Sequence, residues 1–231
     1  MKGMTESVLV IAAHPDDEVL GCGGTMLKLS KAGRPVNVVI MAEGLTSRDP
    51  KRDTARRATE LNALASTAAK ANQLVGAKVE LLGFPDNRMD SVDRLEITKR
   101  VEEQLEKHRP RTVFTHHPGD VNIDHRQIFD AVVAACRPMP GSSVRELFMF
   151  EVPSSTEWQP AAFGRPFEPQ YFVDISAELP GKLQALECYT TEMRAWPHPR
   201  SLAAIEHLAR WRGATIGVDA AEAFAVGRVI A

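Results

Sequence analysis

Apolar residues follow two rhythms along this chain. Residues 8–12 (Val-Leu-Val-Ile-Ala) and 36–41 (Val-Asn-Val-Val-Ile-Met) are almost continuous apolar runs bounded by polar sequence. That pattern belongs to strands covered on both faces, as in parallel sheets. Residues 78–82 and 112–115 read as two shorter strands. Between the strands the spacing turns helical: residues 19–32, stopping at Gly33, and residues 54–74, where Leu61, Leu64, Ala65 and Ala68 recur on one face. In a third helix Val101 and Leu105 follow Ile97 at intervals of four, with Asp90 or Ser91 as its cap. Residues 44–53 are polar and read as a loop. The resulting β-α-β-α-β-α-β order predicts a Rossmann-like α/β fold, a mostly parallel sheet with helices on both faces.

Beyond Pro118 the rhythm is less regular. Residues 128–136 read as a helix, 147–152 and 171–175 as strands, and 153–169 as a loop. Residues 177–194, 201–212 and 220–226 read as helices, forming a C-terminal elaboration. No repeat or linker interrupts the pattern, so residues 1–231 are expected to form a single domain.

Composition narrows the class. The 28 Lys+Arg and 30 Asp+Glu leave a formal charge of -2, which removes the main physical driver of nucleic-acid binding. No apolar run is long enough to span a bilayer, and Glu6 and the acidic residues after His14 interrupt any signal-peptide core. The expectation is a cytoplasmic protein with no membrane span. Cys22, Cys136 and Cys188 are odd in number and form no CxxC pair, so they read as free thiols.

Two polar clusters follow strands directly: His14-Pro15-Asp16-Asp17-Glu18 after the first, and residues 116–125, His-His-Pro-Gly-Asp-Val-Asn-Ile-Asp-His, after the fourth. Ligands in open parallel folds bind at those strand ends. Three consecutive acids repel one another, and a divalent cation is an economical counter-ion. Two imidazoles and a carboxylate with an open position form the ligand set of hydrolytic zinc, and the same set suits ferrous iron. His14, Asp17 and His125 can supply it, leaving Asp16 as a second carboxylate. The residue types alone leave Asp16, Asp17, Glu18, Asp120 and Asp124 all open as ligands.

Ala13-His14-Pro15-Asp16-Asp17-Glu18 resembles the opening signature of the PIG-L/LmbE-like zinc-dependent deacetylases, which act on N-acetylglucosamine-type sugars. The segment Asp120-Val121-Asn122-Ile123-Asp124-His125 resembles that family's second metal motif. Collinear, weaker matches are Arg57-Ala58-Thr59-Glu60, Gly83-Phe84-Pro85-Asp86, His198-Pro199-Arg200-Ser201, Arg212-Gly213 and Ala221-Glu222-Ala223-Phe224. The resemblance implies His14, Asp17 and His125 as zinc ligands, Asp16 as general base, and Arg57 and Asp86 as binders of sugar hydroxyls. Where some members carry an oxyanion-steadying histidine this chain has Asn122, whose amide can donate a hydrogen bond but cannot give up a proton at neutral pH. His198 is the candidate to supply the acid. The implied reaction releases acetate from a small-molecule N-acetylated sugar.

Other features change the picture less. The glycines at 21, 23 and 24 miss the GxGxxG spacing and follow an acidic run, so close helix packing explains them better than a dinucleotide site. Arg48 lies in a loop over the end of the second strand, a candidate to reach a substrate phosphate or carboxylate, with a solvated loop arginine as the default reading. His116 and His117 suit supporting roles beside the site. Trp158, Phe163, Phe167 and Tyr171 border the 153–169 loop, where packing under the loop is favoured over stacking on a sugar. That loop and the C-terminal elaboration also offer surfaces for a homo-oligomer. Competing functions are a metal-dependent amidase for another acyl-amide, such as a thiol conjugate, and a non-catalytic sugar- or nucleotide-binding module.

Overall fold

The computed structural model describes residues 6–231. Seven strands form one sheet in the order β3-β2-β1-β4-β5-β7-β6. β1 (Val8–Ala12), β2 (Val36–Ala42), β3 (Lys78–Phe84), β4 (Thr112–His116) and β5 (Glu146–Phe150) run parallel, while β7 (Ala221–Val229) lies antiparallel to both β5 and β6 (Tyr171–Asp174). The helices are α1 (Asp17–Lys31), α2 (Ala58–Leu74), α3 (Arg94–His108), α4 (Ile123–Ala135), α5 (Leu179–Glu187) and α6 (Leu202–Ala214).

The unbroken apolar run of β1 is explained by what covers it. Val8, Val10 and Ala12 join a core with residues of α1, α2, α5 and α6; Leu9, Ile11 and Ala13 join a second core with α3 and α4. Both faces are therefore dry, and no position needs a polar residue.

Three readings are corrected. Residues 221–226 belong to strand β7, not to a helix over 220–226. Its alanines favour helix intrinsically, but pairing with two strands and burial against the core decide the conformation. The third helix is capped by Asp93, which accepts from Leu95 N at 2.8 Å, rather than by Asp90 or Ser91. The fourth starts at Ile123, five residues earlier than its apolar periodicity suggests. Two further helices are shorter than expected: α2 begins at Ala58, and α5 ends at Glu187.

The glycines of α1 act in packing. A Cβ at Gly21 would lie 2.3 Å from Phe150 Cδ2, and one at Gly24 would lie 2.7 Å from Ile175 Cδ1. The helix breaks at Cys22, and side chains from the C-terminal part satisfy the freed backbone groups. Glu222 accepts from Gly24 N and Thr25 N at 2.9 and 2.6 Å, and Lys182 donates to Leu20 O at 2.8 Å and to Glu222 at 2.6 Å. Among the described residues, no helix is long and apolar enough to cross a membrane.

Gly21→Ala sets two effects against each other. Alanine favours a helix over glycine by about 1 kcal/mol, whereas overpacking a tight core costs about 1–3 kcal/mol. Because the obstructing ring is fully buried, the variant is expected to unfold at lower urea concentration. A raised midpoint would contradict the close approach of α1 to the sheet.

Candidate active site

The chain order places β1 and β4 side by side while their following helices lie on opposite faces, so a crevice opens between the strand ends. Main-chain pairing of β1 with β4 stops at Val10–Phe114. Beyond it side chains bridge the gap: Thr115 Oγ1 donates to Ile11 O at 3.1 Å, and His116 Nε2 accepts from Ala13 N at 2.8 Å. Both polar clusters are delivered to this opening.

At the first cluster the chain bends through Asp16, whose φ of 122° is one that residues with a Cβ rarely adopt. Such a conformation costs roughly 1–3 kcal/mol and persists only where its surroundings enforce it. Here the buried carboxylate of Glu18 enforces it, accepting from Asp16 N at 3.0 Å, Asn72 Nδ2 at 2.8 Å and Tyr189 OH at 2.7 Å. Asp17 turns back to accept from His14 N at 2.9 Å.

His14, Asp17 and His125 converge. Asp17 Oδ2 lies 3.2 Å from His14 Nδ1 and 3.1 Å from His125 Nε2, and the three residues offer ligand atoms within 4.8 Å of one another. A second triple, His14, Asp86 and Asp124, meets the same distance limit through the opposite imidazole nitrogen, with His14 Nε2 at 3.3 Å from Asp86 and 3.0 Å from Asp124. Hydrogen bonding separates the two. Asp17 Oδ1 and His125 Nε2 are buried without a hydrogen-bond partner among the described residues, a costly condition that a cation relieves. Asp124 is already engaged, accepting from Asn87 N at 2.7 Å and Met89 N at 2.9 Å. The first triple therefore fits a divalent metal, and Asp124 fits a partner that orients His14 from behind.

His125 has an equivalent support. Its Nδ1 is 3.0 Å from Asp120, which in turn accepts from Ser155 Oγ and from Thr156 Oγ1 at 2.9 Å. His116 stacks on His125 with centroids 3.9 Å apart.

Charge in the crevice is tightly balanced. Burial by itself lowers the proton affinity of His125, but the carboxylates of Asp17 and Asp120 reverse this and lift its pKa to about 9. Burial pushes Asp17 up, yet the two imidazoles hold it well below the usual carboxylate range. Asp16 goes the other way: burial, with the Asp17 carboxylate beside it, raises it well above that range against the pull of Arg200. Its Oδ1 is buried and unpartnered among the described residues.

Several residues expected in the chemistry are committed elsewhere. Asn122 caps α4: Oδ1 accepts from Asp124 N at 2.9 Å, and Nδ2 donates one of its two protons to Asn87 at 2.9 Å. His198 accepts from Arg200 N at 3.0 Å and sets its ring edge against Trp158; Arg200, two residues on, is the member of that motif that reaches Asp16. Arg57 is held by both oxygens of Asp49 at 2.7 Å, and Arg48 by Glu192 at 2.7 Å. Both arginines line a cavity of about 340 Å³, together with Leu45, Glu60, Thr190 and Thr191. Asp86 accepts from Ser47 N at 3.0 Å and from Asn87 Nδ2 at 2.9 Å while facing His14. In the aromatic loop, Phe167 packs edge-on against His117 and Tyr171 stacks on Phe148, whereas Trp158 is exposed.

Sequence reasoning missed Arg200, Asp120 as the support of His125, and the Glu18–Tyr189–Asn72 group. Arg200 and Asp120 stood inside quoted motifs; Tyr189 and Asn72 carry no local signal.

Comparison with known proteins agrees with this geometry. The family model described as PIG-L, GlcNAc-PI de-N-acetylase, matches residues 9–136, more than half of the chain. A probable N-acetyl-alpha-D-glucosaminyl L-malate deacetylase of Bacillus cereus is 28% identical over 195 residues, covering 83% of this chain and 86% of the relative. The N,N'-diacetylchitobiose deacetylase structure from Pyrococcus horikoshii aligns with TM-score 0.75 at 23% identity, covering 96% of this chain and 83% of that one. GalB of Pseudomonas putida KT2440, a 4-carboxy-2-hydroxymuconate hydratase, aligns with TM-score 0.77 at 20% identity, covering 98% of each chain. At those identities the structural likeness speaks for the fold alone.

Asp120→Asn keeps the size of the side chain but removes the charge behind His125. Affinity for a divalent metal is expected to fall ~10–100-fold, as for other lost carboxylate–histidine supports. Competition with a chromophoric chelator measures it; unchanged affinity would remove Asp120 from that role.

Proposed function

The chain belongs to the PIG-L family and is a metal-dependent N-deacetylase, and from that premise we propose that it removes the acetyl group from an N-acetylated amino sugar or sugar conjugate, with zinc as its metal. The observation that carries the reading is the convergence of His14, Asp17 and His125 on one point, with two buried atoms lacking partners and Asp16 alongside.

In this reading His14, Asp17 and His125 hold the ion, with Asp124 and Asp120 fixing the two imidazoles from behind. When bound, such a metal would polarise the acetyl carbonyl and lower the pKa of a water molecule to about 7. Asp16 then does the proton work. Its free Oδ1 takes a proton as the water oxygen bonds to the carbonyl carbon, and returns that proton to the departing nitrogen as the C–N bond breaks. The products are acetate and a free amine. Because the amide of Asn122 gives up no proton at neutral pH and His198 packs against Trp158, Asp16 takes the acid step as well.

The cavity beside the loop after β2 supports a hydroxyl-rich acceptor. Its arginines are paired with carboxylates, and such pairs keep spare N–H donors and oxygen acceptors for sugar hydroxyls. The volume lies within the ~300–1,000 Å³ typical of small-molecule sites.

Acetate release from a panel of N-acetylated sugars, before and after chelation, tests the reading, with metal content measured on the same sample. Asp16→Asn should keep stoichiometric zinc while turnover falls at least ~100-fold, the low end of general-base effects. His14→Ala should lose both. A metal-loaded Asp16→Asn protein with full turnover would remove Asp16 from the base role.

A further inference from the structure

The contact between Arg200 and Asp16 spans most of the chain and brings a residue from beyond the family-matched span, 9–136, into the site. Arg200 closes the segment between α5 and α6. Nη1 donates to Asp16 Oδ2 at 2.7 Å, and Nε donates to Ser154 Oγ at 2.8 Å. Its Nη2 stands 3.9 Å from Asp17 Oδ1. The backbone around it is anchored too: Arg200 N donates to His198 Nδ1 at 3.0 Å, and Arg200 O accepts from Arg194 N at 3.2 Å.

A guanidinium is planar, so two contacts fix its plane and the direction of its remaining donors. Ser154 therefore sets how Arg200 meets Asp16. Ser154 itself sits at φ 70°, held by a 2.6 Å bond from its N–H to Glu157. The next two residues, Ser155 and Thr156, donate to Asp120 behind His125. One short segment after β5 thus positions both the histidine offered to the metal and, through Arg200, the carboxylate beside it.

We infer that Arg200 is a positioning residue for the general base: it immobilises Asp16 Oδ2 so that Oδ1 alone is presented for proton transfer. This rests on the reading of Asp16 as base. A simple counter-charge accounts for less of the geometry, because charge neutralisation needs neither the clamp on Ser154 nor one carboxylate oxygen left without a partner.

The test compares Arg200→Ala and Arg200→Lys with the wild-type zinc enzyme. Zinc content should be unchanged in both, KM should stay within ~2-fold, and kcat should fall ~10–100-fold, the scale of a misplaced catalytic group. Lysine keeps the charge but not the fork, so Arg200→Lys should be impaired nearly as much as Arg200→Ala. Added methylguanidinium should restore part of kcat to Arg200→Ala but none to the Arg200→Ala/Asp16→Asn double variant. A rise in KM with unchanged kcat would instead make Arg200 a substrate binder and overturn the inference, as would full activity in Arg200→Lys. If the wild-type protein releases no acetate from any substrate, the deacetylase reading fails on its own. The pairing is then read from melting temperatures: Arg200→Ala should lower the melting point of the wild type but not of Asp16→Asn, and equal losses in both backgrounds would refute it.

Discussion

Five aspartates, Asp16, Asp17, Asp86, Asp120 and Asp124, are buried around the point where β1 and β4 separate, and what compensates them governs the rest of the structure. An isolated buried carboxylate costs several kcal/mol, and the cost is tolerated only when charge or hydrogen bonds offset it. Asp124 is offset by two backbone N–H groups and His14, Asp120 by two hydroxyls and His125, and Asp86 by Ser47 N and Asn87. Asp16 has Arg200 on one oxygen only, and Asp17 has imidazoles on one oxygen only. The two oxygens left over belong to the adjacent carboxylates that the deacetylase reading assigns to metal binding and to proton transfer. A site that served stability alone would have satisfied them.

The parallel half of the sheet delivers these groups, but the C-terminal part completes them. Ser155 and Thr156 reach Asp120, Tyr189 reaches Glu18, Arg200 reaches Asp16, and Lys182 with Glu222 closes the break in α1. That break lies one turn beyond the bend that carries the acids, so packing behind the site and chemistry within it share the same helix. The family-matched residues thus form the metal-facing half and line most of the cavity, and later residues set the orientation of the acids and close one side of that cavity with Cys188, Thr190 and Thr191. GalB has a very similar fold with a different reaction, which is the outcome expected when side chains grafted onto strand ends decide the chemistry.

How legible all this was depended on how local the signal is. Continuous apolar runs gave β1 and β2 almost to the residue, because burial on both faces leaves no ambiguity of period. The acidic bend and the residue 116–125 cluster were legible because neither strand nor helix propensity explains them. β7 was misread since alanine reports helix propensity while the sheet exploits its small size. The capping role of Asn122 was hidden because the start of α4 could not be placed from an apolar period that begins only at Ile128. The carboxylates that orient Arg57 and Arg48, Asp49 and Glu192, were not legible because they lie outside the motifs, Glu192 far away in sequence. Arg200 was visible as a letter in a motif, but its contact with Asp16 crosses 184 positions and has no periodic signature.

The central claim is that one divalent cation sits between His14 Nδ1, Asp17 and His125 Nε2. Anomalous diffraction at the zinc absorption edge, from crystals of the zinc-loaded protein, tests it directly. The account predicts one strong peak within about 2.0–2.2 Å of an atom from each of those three residues. A peak instead among His14 Nε2, Asp86 and Asp124, or no peak in protein that is catalytically active, would contradict it.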